Sequence, residues 1–286
     1  MNYAALIQNR KSVREFQDKV VPFKTLEIIK RYYQQSVRRL IPEITTELYF
    51  FGTDAREALE GAAGYHKYLV GAPQYLVLLT QKHPQAGLNA GFVMEDLILK
   101  LTDLGLDSCW VTFTESDHVK DALGIESDLE VAAIAAFGFG VKTTRRLRLN
   151  IKSMSNIDII AKRHYFEPKC SVHELVHQGT WNNRDGLDDA IGFYDDMLWE
   201  AFYAASLAPS YLNRQAYGFL LKGGSVTLVS KPDAFNTPID SDLSLGIVLH
   251  HFTTVAENWA GKLRWNFIPE EMELPEGHRA VASAAI

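Results

Sequence analysis

LNAGFVMEDLILKLTDLG, residues 88–105, is too long for a strand and is apolar on more than one side. Gly91, Met94, Ile98 and Leu101 follow the 3, 4, 3 steps of one helical face, while Phe92, Leu97 and Leu99 point elsewhere. A helix apolar on several sides is buried on several sides, so this one belongs at the centre of an assembly. DLSLGIVLHHFTTVAENW, residues 242–259, answers it, with Gly246, Leu249, Thr253 and Ala256 at the same steps. The neighbours echo in the same order. ELYFFG at Glu47 is answered by QAYGFLL at Gln215, and VAAIAAFG at Val131 by AVASAAI at residues 280–286. A shared order of three echoes points to a degenerate internal duplication.

Working outward, VPFKTLEIIKRYYQQ (residues 21–35) opens with Pro22 and sets Leu26, Ile29 and Tyr33 on one face, as an amphipathic helix does. QYLVLLT (Gln74 to Thr80) and VAAIAAFGFG (Val131 to Gly140) are continuous apolar runs bounded by turn residues and read as buried strands. The expected division is a first half over residues 1–150, a loop-like connector over 151–185 and a second half over 186–286.

With 286 residues, 47% of them hydrophobic, the chain can bury one large core or two smaller ones. A net charge of -6 argues against nucleic acid or an anionic membrane as partner. Two cysteines, Cys109 and Cys170, imply no disulfide framework, and the start MNYAALIQNRKSVREF has no secretory core, so a cytoplasmic location is expected.

Three motifs carry chemistry. Arg10-Lys11-Ser12-Val13-Arg14-Glu15-Phe16 is a compact anion clamp, since arginine binds phosphate bidentately and a serine hydroxyl adds a donor. Taken alone, composition favours a solvated charged segment before the first helix. Ala208-Pro209-Ser210-Tyr211-Leu212-Asn213-Arg214-Gln215 follows the helix-like DDMLWEAFYAASL, and its Asn213 amide both donates and accepts, which suits the edge of a planar heterocycle. It could also be an ordinary turn. His173-Glu174-Leu175-Val176-His177 matches the zinc-protease pattern H-E-x-x-H, yet Gly179 and the Asn-Asn-Arg-Asp-Gly run would end its helix early. No metal site is expected there. The polar histidines of a connector helix are the simpler reading, and His250-His251 read as packed rather than catalytic.

RKSVREF followed by a helix resembles the phosphate-binding signature of the FMN-dependent nitroreductase family. APSYLNRQAYGF resembles its second signature, and LNAGFVMEDLILKLTDLGLDSCWVTF its central helix and the strand passing the flavin. That family is an intertwined dimer with FMN at the interface, reducing nitro-aromatics, quinones or similar acceptors with NAD(P)H. Here RKSVREF occurs only in the first half, where QQSVRRLIPEI (Gln34 to Ile44) takes the place of the second signature. APSYLN occurs only in the second half. The resemblance therefore implies an α+β nitroreductase-like fold of two pseudo-symmetric halves, antiparallel sheets flanked by helices, as in a single-chain "putative nitroreductase" subgroup. The chain would be a monomeric pseudo-dimer with one FMN site kept, further self-association being left open.

The resemblance also implies residue roles. Arg10 and Ser12 would hold the FMN phosphate, with Lys11 contributing backbone or long-range charge and Arg14 facing the flavin N1/O2 edge. The Thr112 backbone N–H would meet flavin N5 with Phe113 beside it, and Lys152 would be a further phosphate ligand, with rivals in Lys142 to Arg148. Pro209, Ser210, Tyr211 and Asn213 would cover the ring. The expected function is hydride transfer from NAD(P)H through flavin N5 to a small-molecule acceptor, with no protein acid or base required. The alternatives are a zinc metalloprotease working through HELVH 173–177, or a flavin-binding protein without reductase activity.

Overall fold

The computed structural model describes the chain except residues 66–67, 143–144, 154–155, 164–167, 193–195 and 269–271, and gives the backbone alone for 145–153, 156–163, 192 and 196. It forms two compact units, one of Met1 and Asn9–Glu167, the other of Asn2–Gln8 and Pro168–Ile286.

The chain begins with α1 (Tyr3–Asn9), grouped almost entirely with the second unit. In the first half follow α2 (Phe23–Gln35), β1 (Thr46–Phe51), α3 (Ala55–Ala58), β2 (Gln74–Thr80), α4 (Ala86–Asp103), β3 (Asp107–Val111), α5 (Ser116–Leu123) and β4 (Glu130–Gly138). Their sheet has the order β1-β2-β4-β3 and every pair is antiparallel. β2 is buried at every position, as its unbroken apolar run requires. Against β2, β3 and β4 lies α4, buried from Leu88 to Leu99, Glu95 and Asp96 included.

Next come β5 (Arg145–Ser153) and β6 (Asn156–Arg163), an antiparallel hairpin. The second half continues with α6 (Val172–Leu175), β7 (Val176–Gln178), α7 (Leu187–Gly192), α8 (Asp196–Ser206), a 3-10 turn (Tyr211–Asn213), β8 (Tyr217–Lys222), β9 (Ser225–Ser230), α9 (Pro238–Ala260) and β10 (Arg279–Ala285). Its sheet has the order β10-β9-β8-β7, with β7 parallel to β8 and the other pairs antiparallel. The stretch expected to be a loop-like connector is therefore structured. RRLRLNIKS and NIDIIAKR alternate polar and apolar residues with the period of a strand, a signal masked by their polar content.

The two halves repeat one topology. In each, a helix and a loop lead to two antiparallel strands, β1-β2 or β8-β9, then to the buried helix α4 or α9, then to a strand on the β2 or β9 edge. The echoes fall where they should, ELYFFG on β1 against QAYGFLL on β8, and VAAIAAFG on β4 against AVASAAI on β10. β8 and β9 are joined by Gly223-Gly224 at φ 58° and 73°, the left-handed pair that a two-residue hairpin demands. Among the described residues, the bridge Asn266–Ser283 stands where β3 would have its counterpart. α9 starts at a Thr237 cap, whose hydroxyl accepts from the Asp240 N–H, with Pro238 at its first position. Its Phe252 packs against Phe202 and Phe219, with ring centroids 5.1 and 5.5 Å away.

Candidate functional site

The signature Arg10–Phe16 occupies the free edge of β3. Ser12 bridges Ser108 in parallel, and the Val13 N–H donates to the Ser108 carbonyl at 2.9 Å. Farther on, Phe16 bridges Gly140, and the Val141 N–H donates to the Glu15 carbonyl at 2.9 Å. Asp107 secures the crossing by accepting from the Gly140 N–H at 2.9 Å. A Cβ at Gly140 would lie 2.6 Å from that Asp107 carboxylate and 3.0 Å from Val13 Cγ1, so a larger residue would have to displace the Asp107 side chain.

Pinned in this way, the segment brings Arg10 close to Ser12 and sets two arginine charges within electrostatic range of Cys109. Arg10 Nη1 lies 3.5 Å from Ser12 Oγ, and the charges of both Arg14 and Arg10 act on the Cys109 thiol. Burial outweighs them and pushes the thiol pKa up, so Cys109 is a neutral wall rather than a nucleophile. Arg14 also acts on Tyr68, whose hydroxyl burial likewise pushes up. Lys11 is exposed.

A residue missed by the sequence reading anchors the cluster. Glu95, fully buried on α4, places Oε1 3.5 Å from Arg10 Nε, and its Oε2 accepts from Trp110 Nε1 at 2.9 Å. The Arg10 side chain is only 8% exposed, and its Nε makes no hydrogen bond among the described residues. The available signal was the acidic pair Glu95-Asp96 within the apolar run, since a buried carboxylate demands a partner. At the far end of β3, the Thr112 carbonyl accepts from the Gly64 N–H at 2.7 Å, and the buried Phe113 bridges Ala63. The Lys152 side chain lies outside the described residues.

In the second half, Pro209, Ser210, Tyr211 and Asn213 form one tight loop. Leu212, Asn213 and Gln215 have φ of 49°, 57° and 48°, a conformation costly for non-glycine residues that persists only where its surroundings fix it. The fixing groups are visible. The Gln215 N–H donates to Ser210 Oγ at 3.0 Å, and the Tyr211 N–H to Ser244 Oγ at 3.1 Å. Asn213 donates through Nδ2 to the Pro168 carbonyl at 2.8 Å and accepts through Oδ1 from Lys169 Nζ at 2.9 Å. The amide expected to face a heterocycle thus holds the chain at 168–169. The matching first-half loop is held similarly, with the Ile41 N–H on Asn89 Oδ1 at 3.0 Å and the Arg38 N–H on Asp96 Oδ2 at 2.9 Å.

HELVH does not have the geometry of a zinc helix. α6 ends at Leu175, and Val176 is already extended, so the two histidines sit on different elements. His173 is exposed and its Nε2 lies 2.7 Å from Asp188 Oδ1, whereas His177 is 2% exposed and packs on Trp181 with ring centroids 4.0 Å apart. Burial, reinforced by Arg184, Lys231 and His278, pushes the His177 pKa down to about 4. The polar connector histidine expected here is in fact a core residue of a strand. Among the described residues no group of three His, Cys, Asp or Glu side chains is placed to hold a metal. No helix among them is long and apolar enough to cross a membrane.

Comparisons with known proteins place the chain in a family. Residues 2–168 match the family described as "Putative TM nitroreductase". A putative nitroreductase from Thermotoga maritima MSB8 is similar over 100% of this chain and 94% of its own, at 18% identity and a TM-score of 0.58, which shows the shared fold. A nitroreductase with bound FMN from Bacteroides fragilis NCTC 9343 aligns with 54% of this chain and 96% of its own, at 19% identity and a TM-score of 0.44. An FMN-dependent nitroreductase from Clostridium difficile R20291 aligns with 48% of this chain and 87% of its own, at 18% identity and a TM-score of 0.41. Among proteins of curated function, none matches. With the family match covering more than half its length and the fold shared from end to end, the chain belongs to the Putative TM nitroreductase family.

Proposed function

We propose that the first half binds FMN with the phosphate at Arg10–Arg14, and that the chain works as an NAD(P)H-dependent flavin oxidoreductase. The observation carrying this reading is the pinned signature itself. Arg10 Nη1 lies beside Ser12 Oγ, and Arg14 follows two residues later with its charge acting, like that of Arg10, on the Cys109 thiol. This donor set fits a phosphate, because guanidinium and hydroxyl donors meet on one fixed backbone. From Ser108 to Thr112 the strand covers roughly 13 Å, a separation suited to a phosphate ester whose linker leads to a ring.

FMN held there would supply the redox chemistry for hydride transfer between NAD(P)H and a nitro-aromatic, quinone or similar acceptor. The protein's part is binding and environment. The contacts of residues 12–13 with Ser108 fix the clamp before any ligand arrives, which lowers the ordering cost of binding. Arg14 and the exposed Lys11 supply the positive charge that an anion seeks. The buried Cys109 and Phe113 keep water from the strand. This reading stands on the first half alone.

The test is anaerobic mixing of FMN-loaded protein with NADH or NADPH, followed in the visible flavin band. Bleaching, and recovery on adding a quinone or nitro-aromatic, is the expected result. Tight FMN binding with no bleaching by either nucleotide would instead make the protein a flavin binder without reductase activity.

A further inference from the structure

Glu95 and Asp96 are both fully buried on α4, and they serve different ends. Asp96 Oδ2 accepts from Tyr32 Oη at 2.7 Å and from the Arg38 N–H at 2.9 Å, holding the loop after α2. Glu95 meets Trp110 on one oxygen and Arg10 on the other. We propose that Glu95, oriented by Trp110, is a positioning residue for phosphate recognition, setting the Arg10 guanidinium so that its Nη edge works together with the Ser12 hydroxyl. This inference rests on the flavin reading above.

The duplicated half supplies the argument that Glu95 is not needed by the scaffold. The alignment that sets Gly91 against Gly246 sets Glu95 against His250 and Trp110 against Trp265. In the second half, which lacks RKSVR, the carboxylate has become a fully buried histidine, and Trp265 Nε1 donates to Thr253 Oγ1 at 2.9 Å instead. Helix, burial and the indole hydrogen bond all persist there without a carboxylate. A buried carboxylate is costly unless paired, and this one occurs in the half that contains the arginine signature. Its distances indicate how it acts. The contact falls on Nε at 3.5 Å, while Nη1 is turned to Ser12 at 3.5 Å. Charge within the Arg10–Glu95 pair is largely balanced, so Arg10 contributes direction to the clamp and Arg14 contributes net charge.

A role in phosphate recognition separates FMN from riboflavin, which has the same ring and no phosphate. Affinities of both flavins for the full chain, the Glu95→Gln variant and the Trp110→Phe variant are measured by quenching of flavin fluorescence. Trp110→Phe keeps an aromatic side chain and both members of the ion pair and removes the donor that aims the carboxylate together with part of the ring volume, so it serves even if Glu95→Gln fails to fold. Expected are about a tenfold loss of FMN affinity in Glu95→Gln and about threefold in Trp110→Phe, with riboflavin affinity held within about twofold in both. If the two flavins weaken together, or neither changes, Glu95 is a structural residue and the inference is overturned alone. If the parent protein binds FMN no more tightly than riboflavin, the phosphate reading of the signature is overturned, and this inference with it.

Discussion

In the first half, Asn89 and Asp96 of α4 hold the loop after α2, and Trp110 reaches back to Glu95. In the second, Ser244 of α9 holds the Tyr211 N–H, His251 Nδ1 lies 3.0 Å from the Ala204 carbonyl, and Trp265 reaches back to Thr253. The offset pairing Gly91 with Gly246 also pairs Asn89 with Ser244 and Asp96 with His251. Duplication has therefore preserved the positions of the anchors while changing their chemistry. Two carboxylates and an amide in one helix correspond to two histidines and a hydroxyl in the other. Geometry tolerates this exchange because each anchor needs only a hydrogen-bonding group of the right reach. An anion clamp does not, because it needs the arginines, and those occur in one half.

The comparison can be strained most severely in the cores of the two helices. Phe252 of α9 and Leu97 of α4 occupy equivalent positions, and both are 0% exposed. Phe252→Ala should cost about 3–5 kcal/mol and Leu97→Ala about 2–5 kcal/mol. Hydrogen exchange should place each loss in its own half. A loss from Phe252→Ala that spread evenly over both would mean that the halves do not unfold as separate units.

An acid titration should produce a somewhat smaller effect, confined to the second half. His177 is held near pKa 4 against an ordinary 6.5, so the unfolded chain takes up the proton first. Its stability contribution is intact above about pH 6.5 and is lost as pH falls towards 4, by about 3 kcal/mol at most. Trp181, packed against His177 with the rings tilted by 38°, provides the fluorescence signal. His177→Phe should flatten this acid dependence; an unchanged acid limb would place its origin elsewhere.

Arg14→Ala should weaken FMN retention by about ten- to a hundredfold, or roughly 1.5–3 kcal/mol, the size of a charge-assisted hydrogen bond in a partly dry site. Dialysis against buffer followed by flavin absorbance would measure it. Retention equal to the parent's would remove Arg14 from the clamp. At the small end, Trp265→Phe should cost about 1 kcal/mol of stability, from the lost bond to Thr253, without altering flavin retention. If it released flavin as Trp110→Phe is expected to, the functional contrast between the two tryptophans would fail.

Much of the fold was legible because its strongest signals are periodic. The several-sided α4 and α9, the buried β2 and the order of the echoes all follow from apolar spacing. β5 and β6 were missed because their alternation is carried by charged residues, so polarity obscured the period. His177 was misread because a histidine beside His173 in an H-E-x-x-H string suggests one helix, and nothing local reveals that Val176 turns extended to pair with β8. In the site, type and spacing of Arg10, Ser12 and Arg14 left a solvated charged segment open, and the resemblance to a family signature singled them out as a candidate clamp. Glu95 was not legible, because its partner Arg10 lies far away in sequence and only the packing of α4 against β3 brings them together. The resemblance placed Asn213 over the flavin ring, and local sequence gave no sign that its amide also bonds residues 168 and 169, some 45 positions away.

The central claim is that the duplicated chain keeps one flavin-binding half. Flavin absorbance against protein mass, for protein saturated with FMN and freed of excess, tests it most directly. The account predicts one FMN per chain, released by Arg10→Ala or Arg14→Ala. Two FMN per chain, or one that survives loss of both arginines, would contradict it.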